Sequence, residues 1–335
     1  MKAFLIYGKL DGSLKEVPEN TLADDEVKIR VSYVGICGSD LHYYFDGANG
    51  AFVVEEPLIP GHELSGVIVE DPSGEFKPGT NVTLHPATYG VSEKGIEDKP
   101  YLWPKGAYLG SASTHPHTQG AMAEYFVAKK SMVRVLPESL SLELAALAEP
   151  LGVAIHAINV ADGVSGKKIL VSGSGPIGLC VVAAAKILGA TSITATDILS
   201  SALKRAEALG ATESLQIGKD QLPENAFDVV FECSAAPVAL SSAFNSVRRA
   251  GVVVQVGMLG AGPQPIAIAP LISKEIQLRG TFRFNDEIND AVKMLAENEW
   301  IKSIITHVIP LSDAVSAFNI AKDSEISGKV LVQIN

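Results

Sequence analysis

Cysteine is scarce in this sequence of 335 residues, which contains only Cys37, Cys180 and Cys233. Three widely separated cysteines exclude a disulfide framework, because such a framework needs several cysteines at close intervals. We therefore expect a reducing compartment, the cytoplasm. Cys180 lies in an apolar helical pattern and is expected in a core, and nothing near Cys233 indicates an activated thiol.

Long apolar runs and dense positive charge are also absent. One of the longest apolar runs, Leu179 to Ala185, falls far short of the ~20 residues of a membrane span. The N-terminal apolar stretch is too short for the core of a signal peptide. The formal net charge of −11, without a run rich in lysine and arginine, argues against nucleic acid or an anionic membrane as a partner. A globular chain of this length is expected to form two domains.

The most informative pattern that is present is a glycine-rich turn, Gly173 to Gly178 (GSGPIG). It follows a short apolar strand pattern, Lys168 to Val171, and opens an apolar helical pattern. In this setting Gly173 permits the tight turn, and Gly175 lets the backbone approach a pyrophosphate. Gly178 lets the helix pack closely on the strand. The sequence therefore predicts a dinucleotide-binding unit.

The residues after the turn extend this nucleotide site. Pro176 and Ile177 begin the helix, whose N-terminus faces the phosphates. Asp197 ends the next strand pattern, 19 residues after the last glycine, where an acid binds the adenosine ribose diol and repels a 2′-phosphate. This predicts NAD, with NADP as an alternative because Lys204 and Arg205 lie about two helical turns further on. The other interpretation of Asp197 is a solvated or helix-capping acid.

Strand and helix patterns alternate after this point, at 227–234, 238–247, 251–257 and 275–282. Such alternation predicts an α/β fold with a Rossmann-type, doubly wound parallel sheet. Before the turn, short strand patterns separated by Gly, Pro, Asp and Ser predict a mainly-β, barrel-like domain. We predict a β domain at 1–150, a nucleotide-binding domain at 151–284, and a segment at 285–335 that returns to the first domain. The hinge is expected near 150–161, with the active site in the cleft.

Four side chains that can bind a metal precede the glycine-rich turn: Cys37, His62, Glu63 and Glu149. Zinc accepts thiolate, imidazole and carboxylate ligands, and a catalytic zinc site keeps one position open for water or substrate. Taken alone, Cys37 is better explained as a small buried hydrophobe and His62 as a structural histidine. Their combination with a nucleotide turn favours a metal site that acts together with a bound cofactor.

The chain resembles the zinc-dependent medium-chain dehydrogenase/reductase family of alcohol dehydrogenases, in its sorbitol and L-idonate 5-dehydrogenase branch. The matching stretches span nearly the whole chain: 35–43 (GICGSDLHY), 60–66 (PGHELSG), 76–79 (FKPG), 149–157 (EPLGVAIHA), 173–178 and 274–284 (KEIQLRGTFRF). The resemblance implies a GroES-like mainly-β barrel catalytic domain and a homodimer or homotetramer. It also implies oxidation of a secondary hydroxyl of a small-molecule substrate to a ketone, with hydride transfer to NAD.

The same resemblance implies the metal ligands. Cys37 and His62 are direct zinc ligands. Glu63 and Glu149 supply carboxylate ligation directly, through water or by exchange, and which of them is the direct ligand stays open. Many relatives hold a second, structural zinc on four cysteines, but residues 87–111 contain none. We therefore expect one catalytic zinc per chain and no structural zinc, with this lobe held by aromatic packing or by a neighbouring subunit.

The resemblance also implies a route for the proton that the alcohol loses. Ser39 lies where the family places a hydroxyl that accepts this proton. His42 matches a position that passes it to solvent in related alcohol dehydrogenases. Glu149 is counted with them among the catalytic residues because its metal ligation is exchangeable. The other interpretations are a turn serine at 39 and a surface histidine at 42.

The side chains expected to line the substrate cleft are Tyr43, Tyr44, Phe282, Arg283 and Phe284. Arg283 offers a rigid fork of donors for a carboxylate or for vicinal hydroxyls. The segment 110–120 looks more like the idonate enzymes, so L-idonate is the first candidate substrate and sorbitol, xylitol or another polyol is the alternative. His115 and His117 in this segment have no third metal ligand nearby in the sequence, so we interpret the segment as a loop at the substrate entrance.

Two other functions stay open. A non-catalytic relative that binds NAD(P)H would keep the fold. The loss of a zinc ligand would favour this function, but no candidate ligand is lost from the sequence. A zinc-free quinone or enoyl reductase is disfavoured, because Cys37 and Glu149 would then have no role.

Overall fold

The computed structural model describes residues 1–335, and two large β-sheets organise it. The elements before residue 148 are β1 (Lys2–Gly8), β2 (Asp11–Glu16), β3 (Glu26–Gly35), α1 (Gly38–Asp46), β4 (Ala48–Asn49), β5 (Phe52–Val53), β6 (Glu63–Glu70), β7 (Asn81–Leu84), β8 (Ala87–Thr88), β9 (Ala107–Tyr108), β10 (Tyr125–Lys129), β11 (Val133–Val135) and α2 (Leu142–Ala145). The long strand β3 pairs antiparallel with β6 and β10. It buries Val27, Ile29 and Val31, the period of two expected when one face of a strand covers a core.

The second sheet is built from the elements α3 (Ala148–Val160), β12 (Lys168–Ser172), α4 (Pro176–Ile187), β13 (Ser192–Asp197), α5 (Ser200–Leu209), β14 (Glu213–Gln216), β15 (Phe227–Glu232), α6 (Pro237–Ser246), β16 (Val247–Gln255), α7 (Ala269–Ser273) and β17 (Gln277–Gly280). Its strand order is β14-β13-β12-β15-β16-β17, and every neighbouring pair is parallel. This confirms the predicted doubly wound sheet. The order reverses at β12, where such sheets form a ligand crevice at their carboxyl edge.

The last elements divide between the two sheets. They are α8 (Glu287–Glu297), β18 (Ile305–Pro310), α9 (Ala314–Lys322) and β19 (Lys329–Gln333). β19 pairs with β3 and β18, so the chain ends inside the first sheet. α8 packs instead on α3. The segment 150–161, where a hinge was expected, is occupied almost entirely by the continuous helix α3.

The two largest hydrophobic cores lie one beside each sheet, and the division into two domains expected from the chain length stays a prediction. The core beside the parallel sheet includes the run Leu179 to Ala185 of α4, which is buried all round. Each fully buried Val or Leu there stabilises the fold by about 1.5–3 kcal/mol. Cys180 lies in this core, as predicted, and burial raises the pKa of its thiol to about 12. The structure contains no helix whose length and apolar character would allow it to span a membrane.

The lobe at residues 87–111, which has no cysteine, is held by its aromatic side chains. Trp103 donates its indole N–H to the Ile96 carbonyl at 2.9 Å. The Tyr101 ring meets the His156 ring edge-on, with 4.8 Å between centroids. The first contact lies within the lobe, and the second attaches the lobe to α3.

Candidate active site

The pairing of β3 with β6 brings together the candidate ligands Cys37, His62 and Glu63. Cys37 caps α1 just after β3 ends, and His62 directly precedes β6. One ligand atom from each residue lies within 4.8 Å of the other two. Gly35, opposite Glu63 in the strand register, makes room for this approach. A Cβ at Gly35 would lie 2.0 Å from Glu63 Oε2.

Asp40 is fully buried and joins two segments of this cluster. Its carboxylate accepts the backbone N–H of Cys37 at 2.9 Å and that of Gly61 at 3.1 Å. Burial raises the pKa of Asp40, although the neighbouring His62 and the two amide bonds oppose this. Asp40 thereby fixes Cys37 relative to the residue that precedes His62. We did not predict this role, although an acid three residues after the helix cap is the mark of a capping box.

The two oxygens of the buried Glu63 carboxylate have different surroundings. Oε1 accepts a hydrogen bond from Lys329 Nζ at 2.7 Å, and Nζ also donates to the Ile36 carbonyl at 3.1 Å. Oε2 has no hydrogen-bond partner. A buried carboxylate oxygen without a partner is costly, and a cation beside Cys37 and His62 would satisfy it. The orphaned oxygen and the thiolate, imidazole and carboxylate donors therefore fit a zinc ion.

A zinc ion held by this cluster would act as a Lewis acid toward a bound hydroxyl and lower the pKa of that hydroxyl. Burial lowers the pKa of His62, but the surrounding Cys37, Asp40 and Glu149 raise it well above its ordinary value overall. A metal binds the neutral imidazole, so the metal and a proton compete for His62.

Glu149 lies in the first turn of α3, beside the three-residue cluster. Its Oε1 accepts a hydrogen bond from the Tyr108 hydroxyl at 2.6 Å. Burial raises the pKa of Glu149 and Glu63 adds to this, whereas His62 and the Tyr108 bond oppose it. The set of atoms within 4.8 Å of one another includes Glu63 but not Glu149. Tyr108 belongs to the lobe at 87–111, for which only aromatic packing or a neighbouring subunit was expected, and its bond to Glu149 is a further contact at the site.

Ser39 and His42 lie three residues apart on α1 and therefore on one side of that helix. Ser39 is half-buried. The His42 side chain is 61% exposed, and its Nδ1 is hydrogen-bonded to Asp46 at 3.0 Å. Ser39 is therefore partly buried and His42 solvent-exposed on that side of α1, and their part in proton transfer stays a prediction.

The two tyrosines of α1 have different environments. Tyr43 is buried, and its hydroxyl accepts the N–H of Ala112 at 3.1 Å and is bonded to the Ser111 hydroxyl at 3.3 Å. Tyr44 packs in the core of the first sheet, with its ring centroid 5.0 Å from that of Phe318. Tyr43 belongs to the same core, but it lies near enough to Arg283 to affect the pKa of that side chain, whereas the Tyr44 ring packs on Phe318. The expectation that Tyr44 lines the cleft is therefore wrong.

Arg283 follows β17, and its guanidinium lies on aromatic rings. Its Cζ is 4.4 Å from the centroid of the Tyr108 ring and 4.7 Å from that of the Phe282 ring. Burial lowers the pKa of Arg283, while Tyr108 and Glu149 oppose this, and no hydrogen bond to the guanidinium contributes. Its N–H donors are thus free to bind a ligand. Phe282 is 41% exposed, but Phe284 is fully buried in the core, so the expectation that Phe284 lines the cleft is wrong.

The glycine-rich turn has the geometry of a phosphate-binding turn. Gly173 has a φ of 94°, which other residues rarely adopt. Gly175 caps α4, and a Cβ there would meet nothing within 4 Å, so the backbone is open to a ligand. Pro176 and Ile177 form the first turn of α4. A Cβ at Gly178 would lie 1.9 Å from the Gly173 oxygen, so the close packing of helix and turn requires glycine.

Asp197 ends β13 next to this turn. Its carboxylate accepts the N–H of Ser174 at 2.8 Å and that of Leu199 at 2.9 Å. Leu199, not Asp197, is the cap of α5. The carboxylate is therefore tied to the glycine-rich turn, and its contact with a ribose stays a prediction.

Folding brings Glu56 to His115 and His117, so a third potential ligand lies near them in space although none lies near in sequence. His117 Nδ1 donates to the Thr114 carbonyl at 2.9 Å, and Nε2 accepts the N–H of Glu55 at 3.1 Å. Both ring nitrogens are occupied within the chain. The imidazole of His117 is therefore structural, and the three residues do not form a metal site.

Comparisons with known proteins agree with this geometry. Family models for the alcohol dehydrogenase GroES-like domain and for zinc-binding dehydrogenase match residues 23–138 and 176–297. The L-idonate 5-dehydrogenase (NAD(P)(+)) of Escherichia coli is 35% identical over 310 residues, which cover 90% of each chain. The sorbitol dehydrogenase of Bacillus subtilis is 37% identical over 88% of this chain and 86% of its own. The crystal structure of the E. coli L-idonate 5-dehydrogenase superposes with a TM-score of 0.94 at 32% identity, over 99% of this chain and 98% of that one. The chain therefore belongs to the zinc-dependent medium-chain dehydrogenase/reductase family of alcohol dehydrogenases, in the branch of the sorbitol and L-idonate 5-dehydrogenases.

Proposed function

We propose that this protein oxidises a secondary hydroxyl of a sugar acid or polyol to a ketone, with hydride transfer to NAD, and that L-idonate is its substrate. The observation that carries this proposal is Arg283, whose half-buried guanidinium lies against Tyr108 and makes no hydrogen bond within the chain. The Tyr108 hydroxyl is bonded to Glu149, so free donors lie close to the candidate metal ligands. A guanidinium binds a carboxylate through two parallel hydrogen bonds. A substrate with a carboxylate on one carbon and a reacting hydroxyl on another suits that arrangement.

In this proposal Cys37, His62 and Glu63 hold the zinc ion. Glu149 is an exchangeable ligand that Tyr108 keeps beside the open position. The orphaned oxygen of Glu63 supports its assignment as the direct carboxylate ligand. The cysteine-free lobe supports a content of one zinc ion per chain, since it offers no second ligand set.

The remaining side chains bind the substrate and move its proton. Tyr43 and Phe282 line the cleft with Arg283. Ser39 accepts the proton of the reacting hydroxyl, and His42 passes it to solvent. Bound NAD would accept hydride from the carbon that bears the hydroxyl, so that the overall reaction would yield a ketone, NADH and one released proton.

The preferred cofactor in this proposal is NAD. The Ser174 amide fixes the Asp197 carboxylate beside the glycine-rich turn, which supports a role for it in binding the ribose diol and in repelling a 2′-phosphate. Arg205 donates to the carbonyl oxygens of Ser324 and Glu325, so it is engaged with the C-terminal segment. Of the two cations that follow Asp197, Lys204 alone is exposed, which leaves weak support for NADP.

Two alternative functions have specific consequences. The sorbitol dehydrogenase relatives favour sorbitol as the substrate, and xylitol is a further polyol alternative; Arg283 would then bind vicinal hydroxyls. A non-catalytic NAD(P)H-binding protein would have no use for the buried carboxylate oxygen of Glu63 that lacks a partner, so the enzyme is the better proposal.

We also propose a homodimer or homotetramer. β17 is the outer strand of the six-stranded sheet, and its free edge is a template for a second copy of the chain. Ile272, just before this strand, is 74% exposed, and Leu278 within it is 44% exposed. Light scattering on a Leu278→Lys variant tests this interface, and an unchanged oligomer would contradict it.

The domain limits at 150/151 and 284/285 and the cytoplasmic location remain parts of the proposal.

A substrate panel tests the proposed function. With purified, zinc-loaded protein and NAD, kcat/KM is expected to be highest for L-idonate, followed by sorbitol and xylitol. Arg283→Ala should raise the KM for L-idonate roughly 10- to 100-fold, the loss of a hydrogen-bonded charge pair, and that for sorbitol less. Arg283→Lys is the matched control, since it keeps the charge without the planar fork. Faster turnover of simple primary alcohols than of any polyol or sugar acid would overturn both versions of the substrate proposal.

A further inference from the structure

The backbone that carries Arg283 has a conformation that needs support. Arg283 has a φ of 53°, in the left-handed region that side chains other than glycine rarely adopt. Such a conformation persists only where the surrounding structure fixes it. The contacts on either side of Arg283 therefore decide where its guanidinium lies.

The chain before Arg283 is fixed by the parallel sheet. Thr281 donates its N–H to the Gln255 carbonyl at 3.2 Å, which continues the pairing of β17 with β16. The chain after Arg283 has no strand partner. Phe284 is buried against α3, where a Cβ on Gly152 would lie 3.5 Å from its ring.

Asn285, the second residue after Arg283, is bound through its amide and carbonyl groups. Its backbone N–H donates to Glu287 at 2.7 Å. Its backbone carbonyl accepts a hydrogen bond from His85 Nε2 at 2.6 Å. Its side-chain oxygen accepts the hydroxyl of Tyr89 at 3.3 Å. Two of these three contacts come from the residues that follow β7.

His85 reaches this carbonyl from the other sheet. It follows β7 in the antiparallel sheet and lies 200 residues from Asn285 in the chain. The side chain is buried, and its Nδ1 accepts the N–H of Ala87 at 3.2 Å. Nε2 must then carry the ring proton in the neutral tautomer and donate to Asn285. The same ring meets Phe284 edge-on at 4.9 Å between centroids.

We propose that His85 is a positioning residue for Arg283 and thereby sets the preference for a carboxylate-bearing substrate over a neutral polyol. This inference rests on the proposed function, in which Arg283 binds the substrate carboxylate. His85 contacts both residues that follow Arg283, Phe284 through its ring and Asn285 through a hydrogen bond. Without the Nε2 donor, the Asn285 carbonyl loses its hydrogen-bond partner from the antiparallel sheet. The Arg283 guanidinium is then no longer held in the position that the substrate carboxylate requires.

Two substitutions of similar size distinguish the effect of the His85 hydrogen bond from the effect of side-chain packing. In His85→Gln the amide nitrogen reaches the place of Nε2 and can still donate to Asn285. In His85→Asn the amide ends at the place of Nδ1 and cannot reach that carbonyl. His307→Gln is the control, because His307 bonds only to its neighbour Thr306. Thermal unfolding of each variant establishes that the fold is retained.

The readout is the ratio of KM values for L-idonate and sorbitol, measured with the zinc-loaded enzyme and NAD. His85→Asn should raise the KM for L-idonate about tenfold, the effect of one lost buried hydrogen bond, with kcat little changed. The KM for sorbitol should change less than that for L-idonate, and His85→Gln should stay close to the wild type. An equal rise for both substrates, or equal behaviour of the Gln and Asn variants, would show a structural role only and overturn the inference.

The double variant His85→Asn/Arg283→Ala distinguishes this inference from the proposed function. If the two substitutions act through one contact, the double variant should have the same KM for L-idonate as Arg283→Ala alone. Independent, multiplicative effects would overturn the positioning role and leave the proposed function intact. If Arg283→Ala leaves the KM for L-idonate unchanged, the proposed function fails and this inference fails with it.

Discussion

Lys329 and Glu63 form an ion pair, with 2.7 Å between Nζ and Oε1, that is almost completely excluded from solvent. The two residues lie 266 positions apart, so the last strand of the chain is joined to the start of β6. Burial lowers the pKa of Lys329, but Glu63 and the nearby thiols raise it above its ordinary value overall. The ammonium group is therefore charged and engages one oxygen of Glu63, which leaves the other for a cation.

Removal of the Lys329 charge should destabilise the fold. In Lys329→Met the Glu63 carboxylate stays buried without its partner, which costs about 3–5 kcal/mol in the free energy of unfolding. Urea unfolding of the metal-free protein measures this loss. Lys302→Met is the control, since Lys302 pairs with Glu143 at the surface and its loss should cost at most about 1 kcal/mol. Equal effects of the two substitutions would contradict the importance of the buried pair.

The protein should contain one tightly bound zinc ion per chain. The cluster of Cys37, His62 and Glu63 supplies the ligands, and the lobe at 87–111 has no cysteine for a second ion. Elemental analysis of the purified protein measures the content. Cys37→Ala should lose both zinc and activity, whereas Cys233→Ala should keep both. Two tightly held ions per chain, or full activity of Cys37→Ala, would refute this expectation.

The enzyme should prefer NAD over NADP in kcat/KM. Asp197 is fixed by two backbone amides, and its charge would oppose a 2′-phosphate. Asp197→Ser should lower kcat/KM for NAD and raise it for NADP. Lys204→Ala in that background should reverse part of the gain with NADP, because Lys204 is the exposed cation nearby. An equal or higher kcat/KM of the wild type with NADP would refute the assigned role of Asp197.

The pair of His156 and Glu287 should make stability depend on acidity. Although burial raises the pKa of Glu287, the His156 bond and the amide of Asn285 lower it from 4.5 to about 2 overall. The pKa is lower in the folded than in the unfolded state, so the stabilisation is complete above pH 4.5 and is lost as the pH falls toward 2. The difference in unfolding free energy between wild type and Glu287→Gln should therefore shrink below pH 4.5. A difference that stays constant between pH 7 and pH 3 would contradict this assignment.

The sequence predicts those features of the fold that are determined by residues close together in the chain. The glycine-rich turn needs only the strand and helix on either side of it, so Gly173, Gly175 and Gly178 indicate their geometry directly. The order of strand and helix patterns predicts the parallel sheet in the same way. The grouping of Cys37 with His62 is different, because the antiparallel pairing of β3 with β6 creates it. The sequence indicates that grouping only through a resemblance to a known family.

The contacts that the sequence does not indicate are made between distant segments. Lys329 is one lysine in an apolar terminal strand, and nothing near it predicts a partner at Glu63. His85 reaches Asn285 only because two sheets meet there. The prediction for Tyr44 failed for a different reason. Its residue type suits a substrate cleft, but the side of α1 on which it lies depends on where the helix begins and what packs against it.

Because α3 is one continuous helix, Glu149 belongs to the half of the molecule that contains the parallel sheet. The other candidate ligands belong to the half that contains the antiparallel sheet. Glu149 is part of a helix whose other residues, such as Leu151 and Ile155, lie in the core beside the parallel sheet. Cys37, His62 and Glu63 are attached to the antiparallel sheet. Any rotation of one half against the other would change the distance from Glu149 to the other three side chains. The place of Glu149 beside the cluster of Cys37, His62 and Glu63 thus depends on how the two halves of the molecule pack against each other.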